Sequence, residues 1–140
     1  MDFEKLPDIL DDFKVTDTFM HPGSLAILMK IMDEKKRQNF SLENFFCGGS
    51  LVYATIRKNF EKYFPKATLR IFYGTTEVHI ITSLAHDPNA EPTNTVGLLK
   101  KNVQVKIMND EDGSNLGVGE IGEICVKAWE HVFGVNFIFF

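Results

Sequence analysis

The 140-residue sequence contains only two cysteines and no apolar run of membrane-spanning length. Cys47 and Cys125 lie far apart, and neither has a partner at the spacing of a zinc site or a disulfide framework. We therefore expect two buried, reduced thiols. A membrane-spanning helix needs about 20 consecutive, mainly apolar residues. Because the sequence has no such run, we predict no membrane span.

Excess positive charge is also missing. The formal net charge is −4, and the basic residues are scattered or lie beside acids, as in residues 33–37, which we interpret as a solvated helix end. This charge balance gives no electrostatic case for nucleic acid or an anionic membrane as a partner. The acidic first residues, Met1–Glu4, lack the apolar segment of a secretory signal. We therefore expect an intracellular protein that binds no nucleic acid.

The remaining composition is that of a soluble globular domain, with 44% apolar and 24% charged residues. Phenylalanine is the exception, with 13 residues. Several of them lie in an uncharged tail, Val132–Phe140, of high β-propensity. Such a tail must pair with another segment, since an exposed one would favour aggregation.

Apolar spacing predicts three helices. The first runs to about Lys14, and the second has Ser24 as its N-cap and ends in the charged cluster at Arg37. The third carries apolar residues between Val52 and Phe64 on its buried side and is stopped by a proline. Its charged residues are predicted to point outward: Arg57, Lys58, Glu61 and Lys62.

Short apolar segments alternate with these helices and predict strands at residues 15–20, 44–50 and 69–73. The order strand, helix, strand, helix, strand indicates an α/β layer with largely parallel pairing. Residues 78–84 are again apolar, and we interpret His79 there as a packed side chain. A β-rich hairpin segment follows, with half-exposed strands at residues 103–108 and 123–127.

Two turns in that segment, one acidic and one glycine-rich, could also be interpreted as ligand-binding loops. Residues 109–115 carry three acids, but they lack the spacing of a known calcium loop, so a solvated hairpin tip is favoured. Gly117, Gly119 and Gly122 are followed by a strand and by no Lys-Ser/Thr pair, so they favour a turn over a phosphate loop.

The stretch with the clearest chemistry is Leu69–Glu77, an apolar strand followed by Gly74, two threonines and a carboxylate. Hydroxyls can donate to phosphate oxygens, and a carboxylate can hold a hard cation such as Mg²⁺. The alternative is a strand that ends in a polar turn. Gly48-Gly49-Ser50 follows the preceding strand. Since both loops are predicted at the carboxyl ends of neighbouring strands, one ligand could touch both.

With these pieces in order, the sequence resembles the adenylate-forming enzymes: acyl-CoA synthetases, 4-coumarate–CoA ligases and insect luciferases. Phe46–Leu51 is similar to the family's Gly-Gly-Ala-Pro-Leu stretch, and Tyr73–Glu77 matches its Tyr-Gly-x-Thr-Glu signature. Residues 95–107 and Gly119–Val126 resemble the segment that ends in Gly-Glu-Ile/Leu-x-Val. The resemblance implies a partial adenylate-forming N-terminal domain at residues 1–127, with an α/β part at 1–84 and a β-rich part at 95–127. Residues 128–140 are then a divergent apolar tail.

The resemblance also implies a function, an ATP-dependent acid–CoA ligase. A carboxylic acid attacks the α-phosphate of ATP, and the thiol of coenzyme A then takes the acyl group. By this likeness Tyr73 stacks on the base, Thr76 binds the α-phosphate, and Glu77 holds Mg²⁺, so that Thr76 and Glu77 are the catalytic residues. Gly49, Phe72 and Gly74 border the acyl pocket. The implied nucleotide-binding residues are Gly48, Gly49, Ser50, Leu51, Tyr73, Gly74, Thr75 and Thr76.

Three parts of the family pattern have no counterpart in these residues: the upstream phosphate loop, the ribose-binding aspartate and the C-terminal catalytic lysine. Ser50-Leu51 replaces Ala-Pro, and Phe72 stands where the family has a small residue. We therefore expect the chain to be inactive by itself. The alternative is a non-catalytic truncated or decayed homologue that binds nucleotide weakly. Relatives often carry a peroxisomal C-terminal tripeptide, whereas this sequence ends in Phe139-Phe140.

Overall fold

The computed structural model describes residues 2–91, 93, 95–128 and 137–139. A single 3₁₀ turn, Phe3–Lys5, leads into the first helix. The helices are α1 (Leu6–Asp12), α2 (Pro22–Glu34) and α3 (Ala54–Tyr63). The strands are β1 (Asp17–Met20), β2 (Asn44–Gly48), β3 (Thr68–Thr75), β4 (His79–Ala85), β5 (Leu98–Leu99), β6 (Val103–Met108), β7 (Glu123–Ala128) and β8 (Phe137–Phe139).

The first five strands form one sheet in chain order, β1-β2-β3-β4-β5. β1, β2 and β3 are parallel, and α2 and α3 provide the two crossovers between them. β4 and β5 then add to the sheet as antiparallel strands. The predicted α/β class is thus confirmed, with parallel pairing in the first half of the sheet and a hairpin segment after it.

The ends of the helices follow from local chemistry, with one correction. Pro7 lies in the first turn of α1, where its missing N–H is not needed. The N-cap of α2 is His21 and not Ser24, because the His21 Nδ1 accepts a hydrogen bond from the Gly23 N–H at 3.2 Å. α3 ends at Tyr63, just before Pro65, as the rule for helices ahead of a proline predicts.

The charged end of α2 is more than a solvated surface. Arg37 is half-buried, and its guanidinium donates to the carboxylates of Asp8 and Asp11 on α1. Asn39, which is 2% exposed, donates to Asp11 as well, at 2.7 Å. These contacts tie α1 to the segment between α2 and β2, so the prediction of a freely solvated helix end is wrong for Arg37.

The main core lies between the helices and one face of the first sheet. The Phe45 ring on β2 contacts the rings of Phe60 and Phe64, with centroids 5.4 and 5.2 Å away. Burial of these rings and their neighbours supplies most of the hydrophobic stabilisation. The core residues are Leu10, Leu25, Leu28, Met29, Met32, Leu42, Phe45, Cys47, Val52, Ile56, Phe60, Tyr63, Phe64, Leu69 and Ile71.

The second sheet is antiparallel, in the order β6-β7-β8. A small apolar cluster joins it to the first sheet, since Val126 and Ala128 on β7 pack with Val78 and Ile81. The backbone of Phe137–Phe139 pairs with β7, so part of the apolar tail has a partner strand. The rest of that tail, residues 129–136 and 140, lies outside the described residues.

Two side-chain predictions can be compared directly with the structure, and a search for membrane-spanning helices adds a third finding. Cys47 and Cys125 are both free, with Cys47 buried and Cys125 half-buried. His79 is exposed and has a φ of 57°, so the prediction of a packed side chain is wrong. Within residues 2–91, 93, 95–128 and 137–139, no helix has both the length and the apolar character needed to span a membrane.

Candidate functional site

A cavity of about 290 Å³ lies where β2 and β3 end and the chain leaves the sheet. Both loops predicted to meet one ligand contribute to it. It is at the lower end of the roughly 300–1,000 Å³ typical of ligand pockets. Its lining residues are Gly49, Ser50, Leu51, Val52, Arg57, Ile71, Phe72, Tyr73, Gly74 and Val96.

Gly49 and the residues after it form one wall, directly after the end of β2. Gly48 is the last residue of β2, and a Cβ there would lie 2.7 Å from the Phe72 ring, so a side chain at this position would collide with it. Gly49 has a φ of 90°, a conformation that favours glycine. Ser50 and Leu51 follow as exposed residues. The two glycines therefore let the chain turn sharply at the edge of the cavity.

The opposite wall comes from β3, which continues further than the sequence indicated. Gly74 and Thr75 are still in the strand, and a β-bulge lies between Tyr73 and Gly74. A Cβ at Gly74 would overlap the carbonyl oxygen of His79 on β4. Gly74 is thus required by the close approach of the neighbouring strand. The polar loop predicted after it is the turn of a β3–β4 hairpin.

The hydroxyls and the carboxylate of the motif lie on this turn, outside the lining of the cavity. The Thr75 Oγ1 accepts a hydrogen bond from the Val78 N–H at 3.3 Å, which stabilises the turn. Thr76 is exposed, and Glu77 is half-buried. The structure therefore brings Gly49, Ser50, Leu51, Phe72, Tyr73 and Gly74 together at the cavity. Gly48, Thr75, Thr76 and Glu77 are adjacent to that set in the chain and do not line the cavity.

The two aromatic residues of the motif have different surroundings. Phe72 stacks on Phe19 of β1, with ring centroids 5.4 Å apart and planes inclined by 21°. Tyr73 packs partly against the small cluster that includes Val78 and Ile81. Both also line the cavity. Tyr73 thus offers a flat aromatic surface at the cavity, and the Phe72 ring takes up space in its lining.

The sequence did not indicate that Arg57 belongs to the candidate site. It was predicted to point outward from α3, but it is 3% exposed and lines the cavity. Burial lowers the pKa of its guanidinium. Burial also raises the pKa of the Cys47 thiol to about 12, against an opposing effect of the Arg57 charge. One signal was available, because Arg57 has the helical spacing i, i+3 and i+7 with the buried Phe60 and Phe64.

The metal-ligating side chains near the cavity can be compared with the ligands that Mg²⁺ requires. Among the described residues, no three histidines, cysteines, aspartates or glutamates lie close enough together to hold a metal. Glu77 alone provides a carboxylate on the hairpin turn. Mg²⁺ commonly binds through one or two carboxylates together with water and substrate phosphates. One carboxylate is compatible with an ion that arrives with a nucleotide, and the described residues do not provide the ligands for an ion held by protein groups alone.

Comparisons with known proteins agree with one another. The chain is 30% identical over 122 residues to probable 4-coumarate–CoA ligase 3 of Dictyostelium discoideum, covering 86% of this chain and 22% of that protein. The crystal structure of VinN is similar with a TM-score of 0.78 and 25% identity, covering 89% of this chain and 32% of VinN. O-succinylbenzoate coenzyme A synthetase from Bacillus subtilis, in complex with ATP and magnesium ion, shares the fold with a TM-score of 0.74 and 22% identity. That match covers 91% of this chain and 26% of the synthetase.

The chain therefore spans about a fifth of the length of this curated relative. The family model for AMP-binding enzymes matches residues 1–133, nearly the whole sequence. This match and the similarity to an acid–CoA ligase identify the chain as a member of the AMP-binding enzyme family.

Proposed function

We propose that this chain provides part of the nucleotide and acid site of an ATP-dependent acid–thiol ligase. The main support for the proposal is that residues of both sequence blocks, Gly49–Leu51 and Phe72–Gly74, line the same cavity. The relatives named as CoA ligases support this class of reaction. The B. subtilis synthetase, whose structure contains ATP and magnesium ion, supports the nucleotide.

In the proposed reaction an oxygen of the acid's carboxylate bonds to the α-phosphorus of ATP, and pyrophosphate leaves. The sulfur of coenzyme A then bonds to the acyl carbon, and AMP leaves. Bound Mg²⁺ would supply charge neutralisation on the phosphates. Such steps depend mainly on positioning and on neutralising charge.

Six residues of the two loops and of β3 have a proposed role in that reaction. Tyr73 stacks on the adenine, and the exposed hydroxyl of Thr76 donates to the α-phosphate. Glu77 holds the metal. Gly49 and Gly74 keep the backbone close to the ligand, and Phe72 limits the space for the acyl group. Thr76 and Glu77 suit the phosphate end of the nucleotide because they lie on the turn just outside the cavity.

We also propose that these 140 residues alone bind nucleotide without catalysing adenylation. A motif that provides two hydroxyls and one carboxylate supplies a small share of the transition-state stabilisation that adenylation requires. A specific observation favours this non-catalytic alternative. Phe72 stacks on Phe19 and lines the cavity. In the proposed arrangement its ring takes up space that the acyl group would need.

Equilibrium dialysis with AMP tests the binding. We expect saturable binding that Tyr73→Ala weakens about tenfold, the usual scale of one base–aromatic stack. Tyr53→Ala is the matched control, since Tyr53 is 63% exposed at the start of α3 and does not line the cavity. Equal binding by the two variants would contradict the assigned role of Tyr73.

Exchange of labelled pyrophosphate into ATP tests catalysis. The chain is incubated with ATP, Mg²⁺ and either an aromatic or a fatty acid. We expect no exchange that depends on the acid. Clear acid-dependent exchange would overturn the non-catalytic proposal and would establish that this part of the family fold is active by itself.

A further inference from the structure

The connection between β4 and β5 has no regular secondary structure where it borders the cavity, and Val96 from this connection lines it. Three hydrogen bonds hold backbone carbonyls of this connection. The Arg57 Nη1 donates to the Thr93 carbonyl at 2.7 Å, and its Nη2 donates to the Thr95 carbonyl at 3.3 Å. The Thr82 Oγ1 donates to the Val96 carbonyl at 2.8 Å.

The two donors are unusual in this fold because both are buried. Asn39, Arg57 and Thr82 are the buried polar or charged residues among those the structure describes. Two of these three direct their donors at the same short segment. Arg57 also donates from Nε to the Val52 carbonyl at 3.0 Å, at the start of α3. One side chain thus joins the loop after β2 to the loop before β5.

The segment is also in close contact with β4. Gly97 has a φ of 96°, and a Cβ there would overlap the Ser83 carbonyl. Directly afterwards Leu98–Leu99 pairs with Thr82 and Ser83. The segment is therefore held from α3 by Arg57, and from β4 by Thr82 and by backbone packing.

We propose that Arg57 is the positioning residue that fixes the backbone of Thr93 and Thr95 and so holds Val96 against the cavity, with Thr82 as its partner on β4. Arg57 acts through the backbone it holds. This role deepens the proposed function, since Val96 lines the same cavity. It does not need a bound nucleotide, so it can be tested separately.

Backbone carbonyls are the acceptors of the Arg57 guanidinium, and none of the ion pairs in the described part of the chain includes Arg57. Thr93 and Thr95 are exposed residues, so their carbonyls can bond to water when the guanidinium is removed, which limits the cost to the rest of the fold. A positioning role therefore predicts a specific result: Arg57→Met frees the segment and leaves the rest of the fold intact.

Lys58→Met is a matched control. Lys58 is the next residue on α3, and its Nζ lies 2.8 Å from the carboxylate of Glu91 in the same connection. That ion pair is exposed, with 55% and 86% of the two side chains accessible. Exposed pairs contribute little, so removing the Lys58 charge leaves the segment in place.

Hydrogen–deuterium exchange of the 140-residue chain measures the effect directly. In Arg57→Met we expect amides of residues 93–100 to exchange at least about tenfold faster, while those of β2 and β3 keep their wild-type rates. Arg57→Lys retains the charge but has fewer hydrogen-bond donors, so these amides should exchange at a rate between those of the wild type and Arg57→Met. Lys58→Met matches the wild type.

Exchange at residues 93–100 that stays within about twofold of wild type in Arg57→Met would overturn the proposal. So would equal acceleration throughout the chain, because that shows a general loss of stability. Thr82→Val provides a second measurement if Arg57→Met does not fold. It removes one hydroxyl donor, and we expect faster exchange confined to residues 93–100. AMP binding is irrelevant to these outcomes, so failure of the ligase proposal leaves them interpretable.

Discussion

On the face of the first sheet that the helices cover, β2 and β3 present Phe45, Cys47, Leu69 and Ile71, each at most 3% exposed. On the opposite face the same strands present half-buried phenylalanines, and β1 adds Phe19, which is 59% exposed. The residue types on the two faces are similar, but their surroundings differ. The comparison shows that the sequence of an apolar strand does not indicate which of its two faces packs against the core.

The open face has an order of its own. Phe72 stacks on Phe19 across the sheet. Asn44 donates to Asp17 and accepts from the Arg70 Nε, each at 2.8 Å, which forms a polar row beside the rings. The candidate site lies at the carboxyl edge of the strands, where Ile71 of the covered face and Phe72 of the open face both reach the cavity. Four predictions test this difference between the faces.

The largest difference concerns thiol reactivity. Cys47 lies on the covered face at 0% exposure, and burial raises the pKa of its thiol to about 12. We expect iodoacetamide to modify Cys47 at pH 8 at least about a thousandfold more slowly than an unfolded thiol, because modification requires opening of the core. Peptide mass spectrometry over time measures this, with the half-buried Cys125 as the internal comparison. Equal rates at the two thiols would contradict the assignment of the covered face.

The same thiol gives stability a pH dependence. Folding favours the neutral form of Cys47, since its pKa rises from an ordinary 9.0 to about 12. The contribution of that group is complete below pH 9 and is lost as the pH rises towards 12. Cys47→Ala should reduce the loss of stability in this window, measured by urea unfolding at pH 8 and pH 10.5. An unchanged slope would assign the loss to other groups.

Two neighbouring phenylalanines of β2 provide the next contrast. Phe45→Ala should cost about 3–5 kcal/mol in the free energy of unfolding, since it empties the centre of an aromatic cluster. Phe46→Ala, on the open face, should cost about 1 kcal/mol or less. Urea denaturation followed by circular dichroism gives both values. Similar costs would mean that the two faces are equally buried.

The smallest effect concerns the polar row on the open face. Asn44→Ala removes the hydrogen bonds to Asp17 and Arg70, both at exposed side chains. We expect a loss of about 0.5–1.5 kcal/mol, the net value of ordinary hydrogen bonds. A loss above about 3 kcal/mol would show that this face is buried against another part of the protein in solution.

Much of the fold could be predicted from the sequence, because the helices and parallel strands follow strong local signals. Pro65 marks the end of α3, and alternation marks β6. The antiparallel turn after Thr75 was not predicted, since an apolar run looks the same in parallel and antiparallel strands. The predicted N-cap of α2, Ser24, lies three residues after the actual one, His21. Serine is a common N-cap and histidine is not, so the sequence favoured the wrong residue.

The candidate site was predicted only in part, again where local sequence signals are strong. Gly49 and Gly74 stand out in sequence, and they do line one cavity. The role of Arg57 did not stand out, since it depends on contacts with residues 36 and 38 positions further along the chain. Val96 did not stand out because its carbonyl is held by Thr82 of another strand. The helical spacing of Arg57 with Phe60 and Phe64 was a local signal, but charge alone favours an exposed position.

In the proposed function the loops after β2 and within the β3–β4 hairpin face one nucleotide. A ¹H–¹⁵N NMR titration with AMP detects such shared binding residue by residue. We expect the Gly49 and Gly74 amides to shift together along one saturation curve, while those of Gly113 and Gly119, in turns that do not line the cavity, stay in place. Unchanged Gly49 and Gly74 signals at saturating AMP, or shifts in only one of the two, would contradict it.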